Sequence, residues 1–245
     1  FTLAEVLITL GVIGVVAALT LPVIVNNVKA NILKQQFKKV YNTFSNALLK
    51  TYSDNGNEYL ECYYGEVTSG GECVERDENG NCTKQNPSVG YNLNIECGKF
   101  YDELKNSLNV IKVCENNALR NGCVSEDMKG IDTVYKGKHE DVSDVDLNIA
   151  MTGCNNFREE NIKNVNPAWV LADGTVVGFY SSNRLNLGKI FWVDVNGHKK
   201  PNKWGYDIFV LAYRKRGESV ILKGGGCFQT EVGGTSADNM IKSMY

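Results

Sequence analysis

Three sets of residues in this sequence carry groups whose type and spacing could do chemistry. The first is Asp194-Val195-Asn196-Gly197, followed by Asp207. Alternate oxygen-bearing side chains and a glycine for the sharp turn look like the opening of a calcium loop, although the third acidic position and the closing glutamate of an EF-hand are missing. The same residues are what an Asx-type turn between two strands uses. The turn is the simpler account, and calcium on Asp194, Asn196 and Asp207 is the one metal ligation the sequence offers. No other cofactor is expected.

The second set is the eight cysteines, Cys62, Cys73, Cys82, Cys97, Cys114, Cys123, Cys154 and Cys227. No two stand in a C-x-x-C pair, so thiolate metal sites and covalent haem attachment lack their spacing. An even count points to disulfides formed outside the cytoplasm. Eight cysteines allow 105 pairings. Cys114 with Cys123 encloses a short polar loop and is the best guess, followed by Cys62 with Cys73 or Cys82. Cys227 stands alone near the end and must reach back, with Cys154 as its candidate partner.

The third set is one residue, Glu5, the single charged side chain in the apolar run from Phe1 to Val25. A carboxylate at a helix centre in a membrane costs roughly 2.5–3.5 kcal/mol, and even near one end it needs a partner. That partner is either the amine of Phe1, four residues back on the same helix face, or the amine of a neighbouring chain. A contact of the second kind, repeated head to tail without closing, builds a helical filament.

Catalysis is not expected. His139 and His198 lie in separate polar stretches, and there is no G-x-S-x-G elbow, phosphate loop or H-E-x-x-H. Oxidised cysteines make poor nucleophiles. The net charge of −2 argues against a chain whose main business is coating nucleic acid. Two basic groups, Lys199, Lys200 and Lys203, then Arg214, Lys215 and Arg216, fall in predicted turns, where charge serves solvation. DNA is therefore not an expected partner.

The elements that position these groups follow from pattern. Residues 1–25 form an apolar helix long enough to cross the ~30 Å core of a bilayer. Gly11, Gly14 and Pro22 weaken it, because Pro22 cannot donate to the carbonyl of Ala18 and crowds it. The helix is expected to bend or come undone between Gly14 and Pro22. Over 26–52 the pattern turns amphipathic, with Val28, Ile32, Phe37, Val40, Phe44 and Leu48 on one stripe. The Ser53-Asp54-Asn55-Gly56-Asn57 cluster stops it. Residues 53–165 read as a loop-rich, cysteine-stapled insertion with one helical pattern at Phe100, Leu104 and Leu108. Residues 166–245 read as four or five antiparallel strands, with a hairpin at Asp173-Gly174, and a surface tail ending in a short helix from Ala237. The fold class is α+β, with the amphipathic helix half and the sheet covering each other's apolar faces.

The run Phe1-Thr2-Leu3-x-Glu5-Val6-Leu7-Ile8, followed by apolar residues, resembles the mature start of a type IV pilin or a type II secretion pseudopilin. The resemblance covers about the first 30 residues closely. It implies a leader ending in Gly clipped just before Phe1, a methylated amino terminus, and assembly guided by Glu5, so that the chain reads as already processed. It implies an extracellular pilus subunit that polymerises with itself, resides in the inner membrane beforehand and depends on the pilus assembly machinery there. The alternatives within the resemblance are a secretion pseudopilin and a minor pilin that binds DNA or a surface. It also implies that the segment from Gly14 to Pro22 is extensible in the fibre.

Overall fold

The computed structural model describes residues 2–54, 71–76, 78, 82–87, 93–182, 187–216, 219–227 and 230–245. The chain begins with one 52-residue helix, α1 (Leu3–Asp54), about 78 Å long at 1.5 Å per residue. It runs unbroken through Gly11, Gly14 and Pro22, against the expectation that it comes undone there, because Pro22 removes a single donor and the helix continues on both sides of it. Burial along α1 begins only at Phe37. From there Phe37, Val40, Phe44, Ala47, Leu48, Thr51 and Tyr52 recur every three or four residues and face the domain.

After α1 come a two-stranded hairpin, β1 (Gly71–Arg76) and β2 (Cys82–Pro87), and helix α2 (Leu93–Ser107). The main sheet has six antiparallel strands in simple sequence order: β3 (Val110–Cys114), β4 (Ala168–Leu171), β5 (Val176–Phe179), β6 (Ile190–Asp194), β7 (Ile208–Arg216) and β8 (Ser219–Gly224). The expected hairpin is present, with Gly174 at φ 88° and its N–H donating to the Leu171 carbonyl at 2.9 Å. Strand β3 is an addition to the strands expected from the sequence. It comes from inside the stretch read as an insertion, and it pairs with β4 from Val110↔Leu171 to Cys114↔Ala168.

Strand residues alternate between two dry faces. Trp169, Val177, Phe179, Phe191, Val193, Phe209, Leu211 and Tyr213 point to α1, α2 and the final helix α5 (Ala237–Lys242). Val176, Trp192, Ile208 and Val210 point the other way, into a second core. That second face is covered by residues 115–166, which carry α3 (Ile131–Lys136), α4 (Asp144–Ala150), a 3-10 turn at Asn155–Phe157 and a π-helical turn at Asn161–Val165. The molecule therefore has three layers, with Met128, Ile131, Leu147, Met151, Phe157 and Ile162 packed on the outer side of the sheet. At the centre, Gly178 lets strands close over Trp192, since a Cβ there would fall inside the indole ring.

Two disulfides pin the outer layer. Cys114, at the end of β3, joins Cys123, and Cys154 joins Cys227 beyond β8. Both match the pairings expected from spacing and isolation. The suggested pairing of Cys62 with Cys73 or Cys82 lies outside the described side chains, as does Cys97.

The two crosslinks close loops of very different length, with sequence separations of 9 and 73. On loop-closure entropy, replacing Cys154 and Cys227 by serine costs about 4 kcal/mol, and replacing Cys114 and Cys123 costs about 2.5 kcal/mol. Urea unfolding of the full chain in detergent micelles reads both. A larger loss from the short loop would contradict this account.

Candidate functional site

Glu5 has a partner within its own chain. The Thr2 backbone N–H donates to Glu5 Oε2 at 2.7 Å, and the Glu5 N–H donates to Thr2 Oγ1 at 3.3 Å. This reciprocal pair is a capping box, in which Thr2 and the residue three later satisfy each other's orphan donors at the start of a helix. The signal, Thr-x-x-Glu, is written in the sequence at Thr2-Leu3-Ala4-Glu5; the amine of Phe1, the local partner expected for Glu5, lies outside the described residues. The cap engages Oε2.

Around that carboxylate, the first half of α1 has no intramolecular cover. No residue of its most apolar 18-residue window is buried, and Leu3, Leu19 and Val23 are 78%, 72% and 58% exposed. Sixteen large apolar side chains from Leu3 to Ile32 are exposed in this way. Each is worth about 1.5–3 kcal/mol when fully buried, so the segment as a whole carries on the order of tens of kcal/mol in favour of a dry environment. A Cβ at Gly11 or Gly14 would meet nothing within 4 Å. Nothing inside the protomer therefore asks for a glycine at either place.

The second constellation sits at the end of the sheet where β6 leaves and β7 returns. Asp194 and Asp207 are both buried, at 3% and 0% exposure. The Asn196 N–H donates to Asp194 Oδ1 at 3.2 Å, which is the Asx turn expected of Asp-x-Asn. The two oxygens of Asp207 accept the N–H groups of Lys203, at 2.7 Å, and Asn202, at 2.8 Å. The turn is fixed further by Gly197, at φ 64°, where a Cβ would overlap the Gly174 carbonyl. Two residues that the sequence pattern missed complete the group. Asn202 Nδ2 donates to Asp127 Oδ1 at 2.8 Å, tying the outer layer to this turn across 75 positions.

Burial, and then the charge of Asp207, push the Asp194 carboxyl well above the usual carboxylate range. Burial also raises Asp207, against hydrogen bonds from Lys203, Asn202 and Asn196. Asp127, on the surface, moves the opposite way, chiefly through a hydrogen bond from Ser125. As a calcium cage the group is incomplete. Its carboxylates are committed to backbone donors, and among the described residues no three Asp, Glu, His or Cys side chains gather around one point. The free acceptors are the amide oxygens of Asn196 and Asn202. The chemistry is that of a polar turn that locks two layers together.

The remaining sequence candidates do not converge. The His139 ring packs on Tyr135 with centroids 4.3 Å apart, and His198 Nε2 lies 3.2 Å from the Cys123 carbonyl oxygen. Lys199, Lys200 and Lys203 are exposed in the turn just described. Arg214, Lys215 and Arg216, expected in a turn, belong instead to β7, where pairing with Ile221, Val220 and Ser219 of β8 extends the strand past Tyr213. Arg214 donates to the Glu78 carbonyl at 3.2 Å, while the side chains of Lys215 and Arg216 lie outside the described set. Among the described residues, the apolar half of α1 is the extended surface left without cover in the protomer. No family model, curated protein or solved structure matches this chain.

The raised carboxyl gives a signed pH dependence. The folded state holds a proton on Asp194 more tightly than the unfolded chain does, so stability falls as pH climbs from the ordinary carboxylate range through the raised folded value, and then levels off. Asp194→Asn keeps an acceptor for the Asn196 N–H and removes the buried charge. It is expected to raise the melting temperature at neutral pH, at about 2–4 °C per kcal/mol for a chain of this size, and to lose that advantage below the ordinary carboxylate range. A lower melting temperature for the variant at neutral pH would refute the assignment. Melting curves in calcium and in chelator are expected to coincide, and a calcium-dependent rise would restore the cation reading.

Proposed function

We propose that this chain is a structural subunit of a helical filament of the type IV pilin kind, held in the inner membrane by its first 25 residues before assembly and displayed outside the cell afterwards. The observation that carries the reading is the division of α1 into an apolar half with no cover and an amphipathic half that forms the core of its own domain. A lone membrane anchor would also explain exposed apolar residues. The resemblance of Phe1-Thr2-Leu3-x-Glu5 to a mature pilin start favours polymerisation over simple anchoring. So do Gly11 and Gly14, which let backbones approach closely when they face another helix rather than their own domain.

In this reading the apolar halves of many copies gather around one axis and bury each other's Leu, Ile and Val side chains. Glu5 retains its local cap and offers its carboxylate to the amine at Phe1 of a neighbour, which sets the register between copies. The extensible stretch from Gly14 to Pro22 belongs to the assembled fibre, where neighbours replace the hydrogen bonds that Pro22 removes. The outer layer, stapled at Cys114–Cys123 and Cys154–Cys227, becomes the surface of the fibre. Catalysis forms no part of the proposal.

Glu5→Gln separates the local role from the intermolecular one. Glutamine serves a capping box as glutamate does, but it carries no charge for a neighbour's amine. The variant is expected to give a folded, membrane-held subunit and no sheared surface fibres by electron microscopy. A normal fibre yield would leave Glu5 as a helix cap only. Wild-type cells that lack fibres yet fail to secrete folded cargo when the chain is deleted would replace the pilus with the secretion pseudopilus.

A further inference from the structure

The two edges of the main sheet are finished differently. β8 is held by other parts of its own chain: the Tyr41 phenol of α1 donates to the Leu222 carbonyl at 3.0 Å, and the Gly224 N–H donates to Asp238 Oδ1 of α5 at 2.9 Å. At the opposite edge β3 is the terminal strand, and its Ile111 and Val113 are 68% and 44% exposed. Beside it, the end of α2 and the start of β3 leave an open groove of about 540 Å³, lined by Asp102, Lys105, Asn106, Asn109, Val110 and Val113. Val110 and Val113 pair with Leu171 and Trp169, so they stand on the face of the sheet that carries α1 and α2 and give the groove an apolar floor. The charges on its rim, Lys105 and Asp102, lie 2.5 Å apart and neutralise each other. Such a groove suits an uncharged, apolar occupant.

The flank of α1 below this groove is also bare. Val28, Ile32 and Lys39 are spaced by four and seven residues, close to whole turns, so they form one stripe of the helix. Lys39 Nζ lies 2.8 Å from Asp173 Oδ2, which sets that stripe beneath the turn 172–175. In the same turn the Ala172 N–H donates to the Asn109 carbonyl at 3.1 Å, at the mouth of the groove. Val28 and Ile32, each about half exposed, therefore face the groove's side of the molecule. Tyr41, nine residues or two and a half turns from Ile32, faces the β8 edge instead. Hydrocarbon does not reach this place. The apolar run ends at Val25, and Lys39, level with the groove, lies fourteen residues or about 21 Å further along the axis. The chain carries one uncovered apolar surface of the required kind, the first half of α1. Since α1 is one unbroken helix, its own first half leads away from the groove, and the half that fills it belongs to another copy.

We propose that the groove between α2 and β3 receives the apolar half of α1 from a second copy, which lies along Val28 and Ile32 and ends against Val110 and Val113. The inference rests on the filament reading above and names the surface that each copy offers to the next. A copy displaced by about fourteen residues, or ~21 Å, along the helix axis brings its Val25 level with the groove. This is recognition of an apolar helix in a groove. The inserted and receiving surfaces differ, so the contact repeats from copy to copy without closing. It also covers the apolar edge of β3, which is an aggregation hazard when left bare.

The test is photo-crosslinking of the full chain with Val113→benzoylphenylalanine, made in cells that also express the wild-type chain so that fibres still form. After irradiation, sheared fibres are expected to give a dimer on a denaturing gel, with the adduct mapped by mass spectrometry to residues 14–32 of α1. Subunits dispersed in lipid vesicles are expected to give none. As the functional counterpart, Val113→Glu is expected to leave the melting temperature within about 2 °C, as exposed positions do. It is expected to cut fibre yield roughly tenfold or more, because the contact would bury the carboxylate without a partner. Ile149→Glu, equally exposed but on α4 in the outer layer, leaves the yield unchanged. Fibres that incorporate the chain but give no dimer, or an adduct elsewhere, overturn the groove assignment and leave the filament proposal standing. A normal fibre yield from Val113→Glu does the same. An adduct on lipid, or on a different protein, assigns the groove to that occupant and overturns the second copy. Absence of the chain from any fibre overturns both proposals.

Discussion

One helix has to satisfy two solvents, and the rest of the molecule is arranged around that constraint. From Phe37 onward α1 shows a stripe to its own sheet and keeps lysines on its other side. From Leu3 to Val25 it is apolar on every side apart from Glu5 and the threonines and has no cover within the protomer. A net domain stability is typically only ~5–15 kcal/mol, while the uncovered half carries on the order of tens of kcal/mol in favour of leaving water. Burial of that segment would outweigh any single contact within the domain, so its surface favours a dry environment over water.

The attached body solves a related problem. A single helix cannot cover a six-stranded sheet, and the strands are apolar on both faces, with runs such as Ile208-Phe209-Val210-Leu211 buried throughout. α1, α2 and α5 cover one side, and residues 115–166 cover the other. The crosslinks fall where that outer layer is least able to hold itself. Its helices are six and seven residues long, too short to be stable without tertiary support. Cys114–Cys123 closes the layer onto the edge strand, and Cys154–Cys227 ties it to the chain beyond the opposite edge strand. The Asp194–Asp207 turn adds a third tie through Asn202 and Asp127.

Much of this was legible in the sequence, and the exceptions have physical reasons. The long helix, its change of character near residue 26, the Asp173-Gly174 hairpin, five of the six main-sheet strands and the short helix from Ala237 all carry local signals of period, turn chemistry or capping. β3 did not, because Val110–Cys114 is short, half-exposed and set among polar cysteine-rich segments, so its strand character comes from pairing with β4. The outer layer was read as loop for a similar reason. Yet the unbroken apolar runs Ala168–Leu171 and Ile190–Val193 already called for cover on both faces, because a sheet with one wet face alternates. Asp194, Asn196 and Asp207 were found by composition, and their turn chemistry by the Asp-x-Asn spacing. Asp127 and Asn202 could not be found, since no local pattern links positions 75 residues apart.

Glu5 shows how a structure can move the weight of an argument without reversing it. An acid in an apolar run first looks like an unpaid electrostatic debt that only another copy can settle. The capping box removes that necessity, because Thr2 and the orphan N–H groups of the first turn give the carboxylate a local role, as helix starts commonly do. What the cap does not supply is any reason for the sixteen apolar side chains that follow, or for glycines at 11 and 14 whose missing Cβ atoms face empty space. Those features concern a surface rather than a charge, and a surface of that size is complementary to lipid or to more of itself. In the proposed filament the acid is the device that chooses between them. A capped carboxylate at the very start of a helix costs little at a membrane boundary, but it is expensive at the dry axis of a bundle unless a cation comes to meet it.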